Sequence, residues 1–181
     1  MRVSIFVDGG YLKYAKDKSP IDRIYYPRLP DALIKETGVG LDLVTSYFYD
    51  CRPLGENQGY NKILDRLENW GYKPRFGSLK AEGCRHCGRR PRQKGVDVLL
   101  ALDLLLDTMA RSIDAAILLT NDSDFLPAIE EAQKRGLRQT WVAMHPADRV
   151  EHRDLTSRAT VIDLSDKLFS SLRYEGPPRR P

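Results

Sequence analysis

Four carboxylates stand where chemistry is most easily built. Asp8 closes the apolar run 3–7, and Asp122 and Asp124 follow the apolar run 115–120 through Asn121. Asp97 opens the apolar stretch 96–109, three residues after Lys94. Short β-rich runs of this kind read as strands, and in open α/β sheets ligands gather outside the strands' carboxyl ends. Acids delivered to one edge by separate elements repel one another unless a cation lies among them. Their hard oxygens suit Mg²⁺ or Mn²⁺, which keep several waters and contact substrate phosphates. The chemistry expected of such a set is activation of a water and stabilisation of a phosphodiester leaving oxygen. Each acid also has a plainer reading. Asp124 would cap a helix with Pro127 in its first turn, Asp8 would be a turn residue before Gly9, and Asp97 an acid favoured by a helix dipole.

Residues 80–94 (KAEGCRHCGRRPRQK) carry the complementary charge. Lys80, Arg85, Arg89, Arg90, Arg92 and Lys94 stand against Glu82 alone, a net of +5. The run leads straight into the segment bearing Asp97, so it is expected to overhang the acidic edge. There Lys94 and the Arg85, Arg89, Arg90 and Arg92 guanidiniums would hold phosphates without reading bases. A merely solvated surface loop is the alternative. Tyr11 and Phe125, near Asp8 and Asp124 in sequence, are candidates to stack on single-stranded RNA bases, though either ring suits a core equally. Cys84 and Cys87 have the C-x₂-C spacing of half a Zn²⁺ site. Structural zinc takes four ligands, and the other two would have to come from Cys51, His145, His152 or a second chain. His86 is poorly placed between the two cysteines, and a pair in a loop does not fit a redox motif. The three histidines read as surface residues, with His145-Pro146 a strand-end turn.

The elements that must position these residues follow from pattern. Runs at 3–7, 41–49, 72–79, 114–120, 140–144 and 161–162 predict strands, with Pro74 pushing the third toward a sheet edge. Helices are predicted over 30–37, 60–70, 96–109, 124–135 and 165–172, with Gly38, Gly71 and Gly136 as stops. The helix 96–109 is apolar nearly all round and is expected to be well buried. Residues 80–94 break every periodicity and read as a loop. Strands alternating with helices imply an α/β fold with a mostly parallel sheet.

Composition bounds the rest. A chain of 181 residues, 41% apolar and 30% charged, fits one domain that needs no disulfide or metal scaffold. The domain is expected over 1–172, with 80–94 as an insertion and 173–181 as a disordered tail. No run reaches a membrane span, and three cysteines argue for a reducing compartment, so a cytoplasmic protein is expected. The net charge is +4, and removing the +5 of residues 80–94 leaves −1 for the other 166. That separation of a basic loop from an otherwise nearly neutral domain points to nucleic acid.

Three blocks, VDGGYL at 7–12, KGVDVLLALDLL at 94–105 and TNDSDFLPAI at 120–129, resemble in order and spacing the signature blocks of the NYN family, the LabA-like proteins of the PIN-like nuclease superfamily. The resemblance spans about residues 1–165. It implies a three-layer, PIN-like α/β/α sandwich whose clustered acids bind Mg²⁺ or Mn²⁺ and cut RNA. By position Asp8, Asp97, Asp122 and Asp124 match the family's acids, and Lys94 and Asn121 line the same edge. Tyr11 stands where the first block of the family commonly has Asn. Asp103 also matches a family acid, but six residues from Asp97 it points about 240° away around the helix, which predicts a structural role.

The reading is a metal-dependent ribonuclease leaving 5′-phosphate and 3′-hydroxyl ends. The alternative is a PIN-like module that grips RNA or a protein without cutting, and a homodimer is compatible with either. Other classes lack their motifs. No DxDx(T/V) follows the first strand, no G-x-G-x-x-G follows any strand, and no histidine pairs with a nucleophile.

Overall fold

The computed structural model describes residues 1–52, 58–80 and 92–176. Its spine is a seven-stranded sheet in the order β4-β3-β2-β1-β5-β6-β7. The six long-connected strands are parallel: β1 (Arg2–Asp8), β2 (Asp42–Cys51), β3 (Tyr72–Lys80), β5 (Ala115–Leu119), β6 (Gln139–Met144) and β7 (Thr160–Asp163). The seventh, β4 (Arg92–Lys94), runs antiparallel to β3, pairing Ser78 with Lys94 and Lys80 with Arg92. The end of the stretch expected to be a loop is therefore a strand.

Helices cover both faces, giving three layers: α1 (Gly9–Asp17), α2 (Leu29–Glu36), α3 (Gln58–Leu64), α4 (Val96–Met109), α5 (Leu126–Lys134), α6 (Arg153–Arg158) and α7 (Asp166–Ser171). Among the described residues no helix is long and apolar enough to cross a membrane.

The core is built where the sheet is doubly covered. Every residue of β5 is buried, as are Val3, Ile5, Phe6 and Val7 of β1. A parallel strand covered on both faces needs apolar side chains in both directions, which explains unbroken runs rather than alternation. Each such aliphatic side chain stabilises the fold by roughly 1.5–3 kcal/mol. Pro74 lies on β3 opposite Phe48 of β2, while β4 covers only the far end of β3 at Ser78–Lys80. Pro74 thus lies on the part of β3 that is paired with β2 alone and that β4 does not reach.

Two expectations need correction. The Asp8-Gly9-Gly10 segment begins α1 rather than a turn, because the Asp8 carboxylate accepts the Tyr11 N–H at 3.0 Å and caps the helix. Gly9 is needed for close approach: a Cβ there would lie 2.6 Å from both Asp50 Oδ2 and the Phe48 ring. The second correction is α4, which is half-buried. Leu100, Leu104 and Thr108 face inward, whereas Val98, Leu102, Leu106 and Met109 are 49–61% exposed. The helix packs on β2, β3 and α5 from one side only, leaving an apolar stripe in solvent. Ordered contacts also run past residue 172, since Tyr174 N–H donates to Arg23 O at 3.1 Å and Arg173 bridges to Ile24.

Candidate functional site

From β1 the chain winds outward to β3 and β4, then returns to β5 and winds the other way to β7. The β1/β5 pair is therefore the point where strand order reverses, the place outside which ligands bind in open α/β sheets. Asp8 ends β1, and Thr120–Asp122 continue from β5.

Asp8 is held in place by the Tyr11 N–H. Burial, together with the negative charges of Asp97 and Asp50, pushes its carboxyl up to about 6, against the pull of the Tyr11 and Gly10 N–H groups. Asp97 lies in the first turn of α4, behind Gly95, whose φ of +86° turns the chain from β4 into the helix. Its carboxyl is raised by partial burial and by the charges of Asp122 and Asp124. Asp97 thus stands between the two strand ends: its charge acts on Asp8, and those of Asp122 and Asp124 act on it.

The helix-cap reading moves by two residues. It is Asp122, not Asp124, whose carboxylate accepts a backbone hydrogen, from the Asp124 N–H at 2.9 Å. Asp122 N–H in turn donates to Thr120 Oγ1 at 3.1 Å. A 3-10 turn over Ser123–Phe125 follows before α5 begins, and it leaves the Asp124 carboxylate exposed.

A fifth acid escaped the sequence reading. Asp50, near the end of β2, is 4% exposed, accepts the Cys51 N–H at 2.6 Å and takes a short hydrogen bond from the Tyr60 hydroxyl. Burial raises its carboxyl, opposed by Tyr60, the Cys51 N–H and the positive charge of Lys13. The signal was available, because the run 41–49 is followed by an acid as the run 3–7 is, but Asp50 reads as punctuation before Pro53. His152 was also underrated. Its ring lies 3.3 Å from Asn121 Nδ2 and 3.4 Å from Ser123 Oγ, on the two neighbours of Asp122. His145 behaves as expected for a strand-end turn, its ring nitrogen accepting the Ala147 N–H at 3.2 Å.

Tyr11 and Phe125 do not offer stacking faces, being 6% and 2% exposed. The Tyr11 hydroxyl points into the fold, donating to Asp148 Oδ2 at 2.7 Å and accepting the His145 N–H at 2.9 Å. Lys18 completes that cluster at 2.9 Å from Asp148. Burial pushes the Asp148 carboxyl up, but Tyr11 and Lys18 outweigh it and hold it below its ordinary value. What Tyr11 gives the site is its backbone N–H on Asp8. Asp103 is structural: it is buried, paired with Arg75 at 2.8 and 3.0 Å, and accepts the Tyr49 hydroxyl.

Lys94 ends β4 with an exposed side chain, two residues before α4. Arg85, Arg89, Arg90, Cys84 and Cys87 lie outside the described residues, as does the Arg92 side chain. Among the described residues no three His, Cys, Asp or Glu side chains lie close enough to enclose one ion. The donor set still fits Mg²⁺ or Mn²⁺, which one or two carboxylates hold with waters and phosphate oxygens completing the shell. Asp8, raised first by burial and then by the negative charges of Asp97 and Asp50, is the carboxylate whose charge a cation would stabilise.

Comparison with known proteins bears on this arrangement. Residues 2–164 match the family model described as the NYN domain. The Low amplitude and bright protein LabA of Synechococcus elongatus is 27% identical over 172 residues, covering 91% of this chain and 84% of LabA. Protein y4oD of Sinorhizobium fredii is 32% identical over 110 residues, 59% of this chain and 48% of its own. MJ0482 of Methanocaldococcus jannaschii is 24% identical over 123 residues, 65% and 45% respectively. The matched region thus spans about half the length of the last two. Among solved structures, VPA0982 from Vibrio parahaemolyticus superposes with a TM-score of 0.66 at 19% identity, over 91% of this chain and 93% of that one. That likeness shows the α/β fold.

Proposed function

The chain belongs to the NYN domain family, a nuclease-like group, and from that premise we propose that it is a metal-dependent ribonuclease acting at the β1/β5 edge. The observation that carries the reading is the electrostatic convergence of Asp8, Asp97, Asp122 and Asp124 from three separate elements, with Asp8 raised to about 6.

Mg²⁺ or Mn²⁺ would be held by one or two carboxylates drawn from Asp8, Asp97, Asp122 and Asp124, with waters and phosphate oxygens completing the shell. When bound, such an ion lowers the pKa of water and neutralises charge developing on a phosphodiester. The chain's own part is positioning. Tyr11 N–H fixes the Asp8 oxygen, Asp124 N–H fixes that of Asp122, and Asn121 with His152 forms the neighbouring wall. Lys94 and Arg85, Arg89, Arg90 and Arg92 are the proposed phosphate ligands, which orient the strand for in-line attack. The products are 5′-phosphate and 3′-hydroxyl ends.

The test is incubation of wild type and Asp122→Asn with a panel of RNAs, in Mn²⁺ and in EDTA. Cleavage by wild type in Mn²⁺ is expected to vanish with EDTA and to fall at least about a hundredfold in Asp122→Asn. Wild type that leaves every RNA intact in Mn²⁺ would make the domain a non-catalytic RNA- or protein-binding module. Cys84 and Cys87 remain a proposed half-site for Zn²⁺, read by metal analysis of the purified protein.

A further inference from the structure

A concavity opens beside the acidic edge. It is a cavity of about 590 Å³ between α1, α3 and the segment 22–26, closed on one side by Tyr174. That volume falls in the range of roughly 300–1,000 Å³ typical of small-ligand sites. Its chemistry is unusual for a surface hollow. Lys13, Lys16, Arg23, Lys62 and Arg66 line it against Asp17 and Asp22, a net of +3. Lys16 is taken up by an ion pair with Asp17, whereas no ion pair engages Lys13, Arg23, Lys62 or Arg66 among the described residues.

The same walls are aromatic. Tyr26 and Trp70 stack with centroids 5.7 Å apart and planes within 11° of parallel, while Tyr25 leans on Tyr174 at 6.0 Å. Trp70, Tyr25, Tyr26 and Tyr60 are partly exposed and Tyr174 is 40% exposed, so none of the five residues is fully enclosed by the core. Cations alone would suit any polyanion. Flat rings and cations in one hollow suit a ligand with both an aromatic plane and a phosphate.

The cavity is joined to the acidic edge by Tyr60. Its ring lines the cavity and lies under the Lys13 ammonium at 5.8 Å, while its hydroxyl donates to Asp50. Asp50 Oδ2 in turn lies against Gly9, next to Asp8. From these contacts the geometry points to a nucleotide subsite: the cavity takes an unpaired nucleotide of the RNA strand whose neighbouring phosphate lies at the acidic edge. The base stacks among Tyr26, Trp70 and Tyr60, and Lys62, Arg66 and Arg23 take the phosphates. This replaces the stacking role expected of Tyr11 and Phe125, which the core has absorbed. Only the direction of the strand rests on the nuclease reading; occupancy of the cavity does not.

The test measures binding without cleavage. A labelled single-stranded 12-mer RNA is titrated onto the full chain in EDTA across a salt series, with Lys62→Ala/Arg66→Ala, Trp70→Phe and uridine monophosphate as further arms. Both cations are exposed, so the double variant should fold, and circular dichroism checks that it does. RNA is expected to quench tryptophan fluorescence in wild type and not in Trp70→Phe, since the remaining Trp141 is buried in the core. Loss of two phosphate contacts should weaken binding about tenfold and flatten the salt slope by about 1.4. Uridine monophosphate should bind more weakly than RNA. Tighter binding of the free nucleotide would replace the strand with a small-molecule ligand and overturn the proposal. So would an unchanged affinity and slope in the double variant, or equal binding of a polyglutamate of matched charge. A nuclease whose RNA affinity ignores Lys62 and Arg66 refutes the subsite alone. Inert protein whose RNA binding depends on them refutes the nuclease reading alone.

Discussion

Replacing Asp8 by Asn tests the electrostatics of the acidic edge without any substrate. In the metal-free protein the Asp8 carboxyl stands at about 6 instead of its ordinary 3.8. At roughly 1.4 kcal/mol per pH unit, that rise corresponds to about 3 kcal/mol lost by keeping the carboxylate charged in the fold. The sign follows from proton counting: between pH 4 and 6 the native state binds more protons than the unfolded chain, so stability falls as pH rises through that window. The cost is fully present above about pH 6 and absent below about pH 4. Asn caps a helix as well as Asp does, so the Tyr11 N–H keeps its acceptor. Asp8→Asn should therefore stabilise the metal-free protein by up to about 3 kcal/mol at pH 8, with the gain shrinking toward zero at pH 4. Urea denaturation of both proteins in EDTA at several pH values measures this directly. Adding Mn²⁺ at pH 8 should raise the wild-type midpoint more than that of the variant. A variant less stable than wild type at pH 8, or a difference independent of pH, would refute the reasoning.

Two further substitutions test how the scaffold supports the edge. Gly9→Ala places a Cβ 2.6 Å from Asp50 Oδ2 and from the Phe48 ring, so urea melts should show a loss of about 1–3 kcal/mol; no measurable loss would mean that the β1–α1 junction is looser than described. Arg75→Met strips the buried Asp103 of its two-point partner and should cost about 3 kcal/mol, since Asp103 is 9% exposed at the side chain. Stability recovered by Arg75→Met with Asp103→Leu would confirm that the loss is an unpaired charge, and failure of that rescue would count against it.

The strands were legible because burial on both faces writes itself into the chain as unbroken apolar runs. The run 3–7 reads as a strand and 114–120 as a central one, and β1 and β5 lie at the centre of the sheet. Helix α4 was found with its observed bounds, but its environment was misjudged. Composition reports the helix's own side chains, not how many neighbours arrive to cover them. Helix α1 was hidden because Gly9-Gly10 is ordinarily turn material. What makes it a helix is the Asp8 cap together with an approach to Phe48 and Asp50 that only glycine permits.

The site divides the same way. Asp8, Asp97, Asp122 and Asp124 were candidates already in the sequence, since they end, open or follow apolar runs, although Asp8 and Asp122 also serve as helix caps. Tertiary structure added Asp50 and His152, and it decided between surface and core for the rings of Tyr11 and Phe125. Charge shows the division most plainly. The +5 of residues 80–94 is contiguous and visible in any reading of the chain. The cations of the aromatic cavity are scattered from Lys13 to Arg66 among acids, and become a cluster only when α1 and α3 are brought side by side. Local order along the chain determines which residues carry charge or apolar surface. Which of them meet is settled by the long-range pairing of β1 with β2 and β5, through contacts that no short stretch of sequence contains.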